Sequence, residues 1–219
     1  MPYRRTENVI RRLAAREDAI LAAARTLAAE DGMAAVQIAA VAERAGIAAG
    51  TVYRYFPAKT DLIAEIVSGI STRELTAMRA AGDAAPGPLS ALAASVATFA
   101  ARALEERSLV WAALAEPVDA DVDALRLAFR QRLVAELEAR IRRALGARHL
   151  SEQDPRVSAP ALAGILLEGL IGPLAPSPGS DAAGRRDAVQ NVTLLCLRAL
   201  GVVDARARGL VAQVPLPER

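Results

Sequence analysis

The residues from Val41 to Leu62, VAERAGIAAGTVYRYFPAKTDL, leave the chain few ways to fold around them. Val41, Ala42 and Ala45 give a short helix one apolar face. Gly46 follows, the residue type that ends a helix by taking positive φ. Ile47 is an apolar plug. A second short helical run then carries Thr51, Val52, Tyr53, Arg54, Tyr55 and Phe56 before Pro57 interrupts it. A helix, a tight turn at a glycine and a helix of about two turns make a helix-turn-helix, whose second helix lies in the DNA major groove.

Composition agrees with a helical chain. Apolar residues make up 53% and are dominated by Ala, aromatics make up 3%, and β-branched runs are scarce, which favours an all-α protein. Three of the seven aromatics fall at Tyr53, Tyr55 and Phe56, and the only lysine is Lys59; every other basic residue is Arg. A compact, strongly hydrated ammonium suits a phosphate. The net charge of +2 says little, but its distribution says more. Residues 1–60 hold nine basic and six acidic groups, and Arg4, Arg5, Arg11, Arg12 and Arg16 face only Glu7 in the first sixteen. A basic arm of this kind fits a nucleic-acid contact.

These residues resemble the DNA-binding signature of the tetracycline-repressor (TetR) family: an apolar–Ala pair, Ala-Gly-apolar, Gly-Thr-apolar-Tyr-x-Tyr-Phe, then x-x-Lys-x-x-Leu. Here they are Val41-Ala42, Ala45-Gly46-Ile47, Gly50 to Phe56, and Lys59 with Leu62, with Arg16 to Gly32 as the preceding helix. The C-terminal remainder is similar to that family only in length and helical character. The resemblance implies a three-helix N-terminal helix-turn-helix DNA-binding domain over residues 1–60. A larger helical ligand-binding and dimerisation domain over 61–219 would follow it. Two departures stand out. Val36-Gln37 occupies the place where the family has a capping Ser or Thr, and Ala48 with Ala49 replaces a Ser and a polar or basic residue.

Those departures narrow the DNA-contact set. Ala48 and Ala49 cannot donate a hydrogen bond, but either can pack on a thymine methyl. Direct readout is therefore expected chiefly from Thr51 and Arg54, with the Gln37 amide next. Tyr53 and Tyr55 are expected to position the DNA backbone, and Lys59 to meet a phosphate. Arg44 reads equally as a DNA contact or an ordinary surface charge. Val52 and Phe56 read as core, and Gly50 as a point of close approach.

Beyond the motif the apolar spacing predicts helices over Asn8–Glu30, Val36–Ala45, Ala48–Tyr55, Thr60–Ala80, Leu89–Glu106, Ser108–Ala115, Asp119–Leu145, Ser158–Pro173 and Asp181–Leu200. The clearest break is GDAAPGP at 82–88, and the tail after Gly201 is expected to be only partly ordered. The last two predicted helices are apolar on more than one face, which requires cover on more than one face. A second copy of the chain supplies it most simply, so a homodimer joined there as a four-helix bundle is expected, in line with the resemblance. An apolar effector cavity is expected among Met78, Phe99, Trp111, Leu114 and Phe129, with Arg107, Glu116 or Arg130 at a polar ligand end.

Other chemistry is not indicated. A single histidine, His149, a single cysteine, Cys196, and no clustered carboxylates argue against a metal site. No phosphate-binding glycine loop or nucleophile–base pair is recognisable, so neither a cofactor nor catalysis is expected. Cys196 reads as a buried core thiol. With no leader and no bilayer-length apolar run, the chain is expected to be cytoplasmic and to have no membrane partner. Its expected partners are a pseudo-palindromic double-stranded DNA operator and a small, largely apolar effector that releases it. Two alternatives remain: an all-helical small-molecule-binding protein or enzyme with a vestigial helix-turn-helix, and a constitutive architectural DNA binder.

Overall fold

The computed structural model describes residues 3–116, 120–179 and 181–215. Among them the regular elements are helices: α1 (Tyr3–Asp31), α2 (Ile38–Arg44), α3 (Ala49–Tyr55), α4 (Lys59–Asp83), α5 (Pro88–Glu105), α6 (Arg107–Leu114), α7 (Ala120–Gly146), α8 (Pro155–Leu166), α9 (Ala182–Ala199) and α10 (Asp204–Gln213). A 3-10 turn, Met33–Ala35, precedes α2, and a π-turn, Leu167–Ile171, extends α8. The chain forms two compact units. One comprises residues 1–69 and 108–126, the other 70–107 and 127–219. The first unit thus takes in α6 from Ser108 and the start of α7 as well as the motif.

In the first unit, Ile20, Ala24 and Leu27 recur at helical spacing along α1 and are buried with Met33, Val41, Val52, Leu62 and Ile66. α1 begins five residues earlier than the spacing predicts, and residues 7–19 are exposed on every face. The basic arm is therefore helical, built from the strong helix formers Arg, Leu and Ala.

In the second unit, α5 is the central element. Its buried positions include Leu92, Val96, Phe99 and Ala103, and it packs against α9, α10 and the π-turn. On α7 the four-residue recurrence is buried at Phe129, Leu133, Leu137 and Ile141. α8 starts three residues before Ser158 because Asp154 caps it, accepting the Arg156 N–H at 2.9 Å, with Pro155 in the first turn. The tail after Gly201 departs most from expectation. It forms α10, with Asp204 in the first turn held by Arg198 Nε at 2.8 Å and Arg208 Nε at 2.9 Å, and Ala207 buried. A carboxylate at a helix N-terminus stabilises the dipole, and these two arginines lower the Asp204 pKa further, the Arg208 hydrogen bond most.

The same unit contains a buried charge cluster. Glu74 is 0% exposed and accepts from Arg102 Nε at 2.8 Å and Arg73 Nε at 2.8 Å, while Arg73 also reaches Glu106 at 2.6 Å. A buried carboxylate that loses one of its two guanidinium partners keeps its desolvation cost with less to offset it. Arg102→Met is therefore expected to destabilise the protein by about 1–3 kcal/mol, and the double variant with Glu74→Met to recover part of that. Urea denaturation of the four species in the cycle measures both. Cys196 is 1% exposed, and burial pushes its thiol up to about 12. It is expected to resist alkylation at neutral pH until the protein is unfolded, which mass spectrometry of iodoacetamide-treated samples reads directly.

Candidate nucleic-acid interface

The helix-turn-helix is built around Gly46. At φ +65° it turns the chain out of α2 while its own N–H donates to Glu43 O at 3.1 Å and the Ile47 N–H donates to Ala42 O at 3.0 Å. These two bonds satisfy carbonyls at the end of α2 and point the chain into α3. Ala48 takes the extended N-cap position with no side-chain cap, and the Thr51 N–H donates to Ala48 O at 2.8 Å. Val52 and Phe56 are buried beneath α3, as their apolar character predicts.

On the outer side, Ala48, Thr51, Arg54 and Tyr55 lie at helical spacing and line one recess of about 480 Å³. Arg12 and Arg16 of α1, with Val9 and Leu13, form its other wall. Three guanidinium groups and no carboxylate line this recess, so it attracts a polyanion. Among the described residues, Arg12, Arg16, Arg54 and Lys59 have no hydrogen bond or ion pair to compete with a phosphate.

The other nominated residues are distributed as follows. Gln37 stands exposed at the N-cap of α2, its side chain unused as a cap and its Nε2 donating to Ala34 O at 2.9 Å. Ala49 opens α3, and Tyr53 is 52% exposed but does not line the recess. Lys59 opens α4, where Asp61 caps the turn by accepting the Ala58 N–H at 2.9 Å. Arg44 lies 2.6 Å from Glu30 in a surface ion pair. Sequence reasoning missed the pairing of Arg12 and Arg16 with α3. Their four-residue spacing was visible, but the fold alone brings that helix face to the motif.

The residues nominated for an effector are differently placed. Met78, Phe99 and Phe129 are fully buried in the second unit, while Leu114, buried, and Trp111, partly exposed, belong to the first. Two of the three polar candidates are occupied elsewhere: Arg107 donates to Gly172 O at 2.8 Å and Ala175 O at 3.0 Å, and Glu116 accepts the Met33 N–H at 2.9 Å. Arg130 is exposed. An apolar cavity of about 300 Å³ in the second unit lies elsewhere, between Ala81, Ala85 and Ala94 on one side and Leu210 and Val214 on the other. No helix among the described residues is long and apolar enough to cross a membrane.

A glycine-turned helix pair beside a cationic recess, in an all-helical chain, defines the helix-turn-helix class of DNA-binding proteins. Residues 20–66 match the family model of bacterial regulatory proteins, tetR family. Over 72 residues the chain is 46% identical to the HTH-type transcriptional repressor KstR of Rhodococcus jostii (strain RHA1), covering 33% of this chain and 32% of that one. It therefore spans about a third of the length of the curated relative it matches. The fold is similar to that of a tetR-family regulatory protein from Rhodococcus RHA1, with a TM-score of 0.73 at 20% identity over 86% of this chain and 98% of the other. It is also similar to RolR in complex with resorcinol, with a TM-score of 0.64 at 24% identity over 94% and 98%. Residues 20–66 are thus similar to the DNA-binding part of tetR-family regulators, and the fold as a whole is similar to that of solved proteins of that kind.

Placed in a major groove, Arg54 is the group best suited to read a guanine. Arg54→Ala is expected to relax base preference at one position per half-site, a discrimination of about 1–3 kcal/mol, in competition binding against single-base operator variants. Lys59→Ala is expected to weaken all duplexes alike and to flatten the dependence of log affinity on log salt by about one unit per subunit.

Proposed function

We propose that this protein is a ligand-responsive homodimeric repressor that binds a pseudo-palindromic operator and is released by a small, largely apolar effector. The cationic recess between α1 and α3 carries the reading. Arg12 and Arg16 flank the helix that presents Thr51 and Arg54, so backbone positioning and base readout share one surface. The matched relative's name, a transcriptional repressor, supports the direction of regulation, and resorcinol in RolR supports a small-molecule effector.

Dimerisation is assigned to α8 and α9. α5, α8 and α10 cover much of α9 within the chain, yet Leu195 stays 51% exposed and borders a recess of about 360 Å³ with Leu104, Ile165, Leu170 and Val192. An apolar face of this kind fits the isologous interface of a two-fold dimer. The effector is assigned to the second unit, around Met78, Phe99 and Phe129. It favours a state in which the two reading heads no longer match successive major grooves, and α4 carries the shift. Operator and effector then weaken each other by one coupling free energy.

Selection of bound duplexes from a random DNA pool with the purified protein tests the reading. A repressor enriches a pseudo-palindrome with half-sites about one helical turn apart. Absence of enrichment at moderate salt, repeated after unfolding, washing and refolding to remove any bound effector, would show that the helix-turn-helix no longer reads DNA.

A further inference from the structure

We propose that Glu116 is a positioning residue of the reading head, supplied from outside the helix-turn-helix itself; the inference rests on the reading of α2 and α3 as the DNA-binding pair. Glu116 follows α6, 83 residues from its partner in sequence and within the same compact unit. Its Oε2 accepts the Met33 N–H at 2.9 Å. Met33 is fully buried and opens the 3-10 turn whose last residue leads through Val36 to the N-cap of α2.

A second observation lies on the same carboxylate. Gly32 adopts φ +79°, and a Cβ there would stand 2.8 Å from Glu116 Oε1. The carboxylate thus occupies the space a side chain at position 32 would need, while Oε2 holds the next N–H. This matters because the entry to α2 has no other anchor of its kind. Gln37 makes no side-chain cap, and Ala48 at α3 has no capping atom. A carboxylate oxygen that accepts from a part-buried backbone N–H holds the turn where a capping hydroxyl is missing. With α2 and α3 joined rigidly at Gly46, the direction of α2 sets the direction of the recognition helix. Readout geometry tolerates only small errors in such a support. Glu116 touches no base or phosphate in this role. It acts through the turn.

The test uses the full chain and three variants: Glu116→Ala, Glu116→Gln, which keeps an oxygen acceptor, and Gly32→Ala, which keeps the carboxylate but displaces it. Affinities are measured for the selected operator duplex and a scrambled duplex, with thermal midpoints and backbone amide exchange over residues 33–44. Glu116→Ala is expected to bind the operator about tenfold more weakly, with scrambled-duplex affinity unchanged or slightly raised. Gly32→Ala is expected to show the same loss, and Glu116→Gln to stay within about twofold of the parent. Exchange over 33–44 accelerates in Glu116→Ala and Gly32→Ala only. An unchanged operator-to-scrambled ratio in Glu116→Ala overturns the proposal, and so does an equal loss in Glu116→Gln, which would mark a simple charge effect. If the parent itself prefers no duplex, the DNA-binding reading fails. The exchange data then still decide whether Glu116 holds the turn.

Discussion

The angle between α2 and α3 depends on a single glycine at positive φ. Gly46 lets two backbone bonds, to Glu43 O and Ala42 O, close the end of α2 while the chain reverses toward α3. An L-residue with a Cβ resists that conformation, so the turn and its helix pair stand or fall with this position. The buried positions follow from it. Val41 and Val52 reach the core that Ile20 and Ala24 of α1 supply, and Ala48, Thr51 and Arg54 are left on the outer side. A surface that can read DNA is thus a by-product of burying the opposite one.

The arginine content of the chain acquires a second meaning from the structure. Several arginines close helix ends. Arg126 donates to Ala112 O at 2.6 Å and Ala113 O at 3.0 Å at the end of α6. Arg107 does the same for the π-turn and the loop after it, donating to Gly172 O and Ala175 O. A guanidinium fork carries five donors in a fixed plane, enough to satisfy several orphan carbonyls at once, and a lysine cannot reproduce that geometry. The preference for arginine over lysine in the helical body therefore reflects backbone satisfaction and buried pairs such as Arg102 with Glu74. Among the described residues of the first unit, unpartnered arginines collect on one face, at Arg12, Arg16 and Arg54. Placement distinguishes the two uses. Composition does not.

Legibility in the sequence tracks the range of the interaction. The helix-turn-helix could be read because its determinants, from Val41 to Pro57, lie within five turns of one another and include two glycines, a proline and three aromatics. The recurrence of Phe129, Leu133, Leu137 and Ile141 was equally local, and all four are buried. What failed was of two kinds. α10 was hidden because Gly201 and Gly209 punctuate a short, polar stretch, although Asp204 marked its start. The pairing of Arg12 with α3 and of Glu116 with Met33 joins residues far apart in the chain, and no local pattern specifies which distant side chain arrives. Arg107 and Glu116 read naturally as ligand-facing charges for the same reason: their carbonyl and amide partners are invisible in one dimension.

The weak caps at Val36-Gln37 and Ala48 appear as deficits in the sequence, and the structure shows how one is offset. α2 begins without a side-chain cap, but the turn before it is held by a carboxylate from another part of the unit and by the Gln37 amide, which closes back on Ala34 O. A local hydroxyl cap would stabilise α2 by itself, independent of the rest of the protein. A distant carboxylate stabilises it only while the segment carrying Glu116 stays in place. Moving the support from a neighbouring residue to the segment after α6 therefore makes the entry to α2 conditional on a segment outside the motif, which is the physical requirement for coupling a binding surface to anything beyond itself.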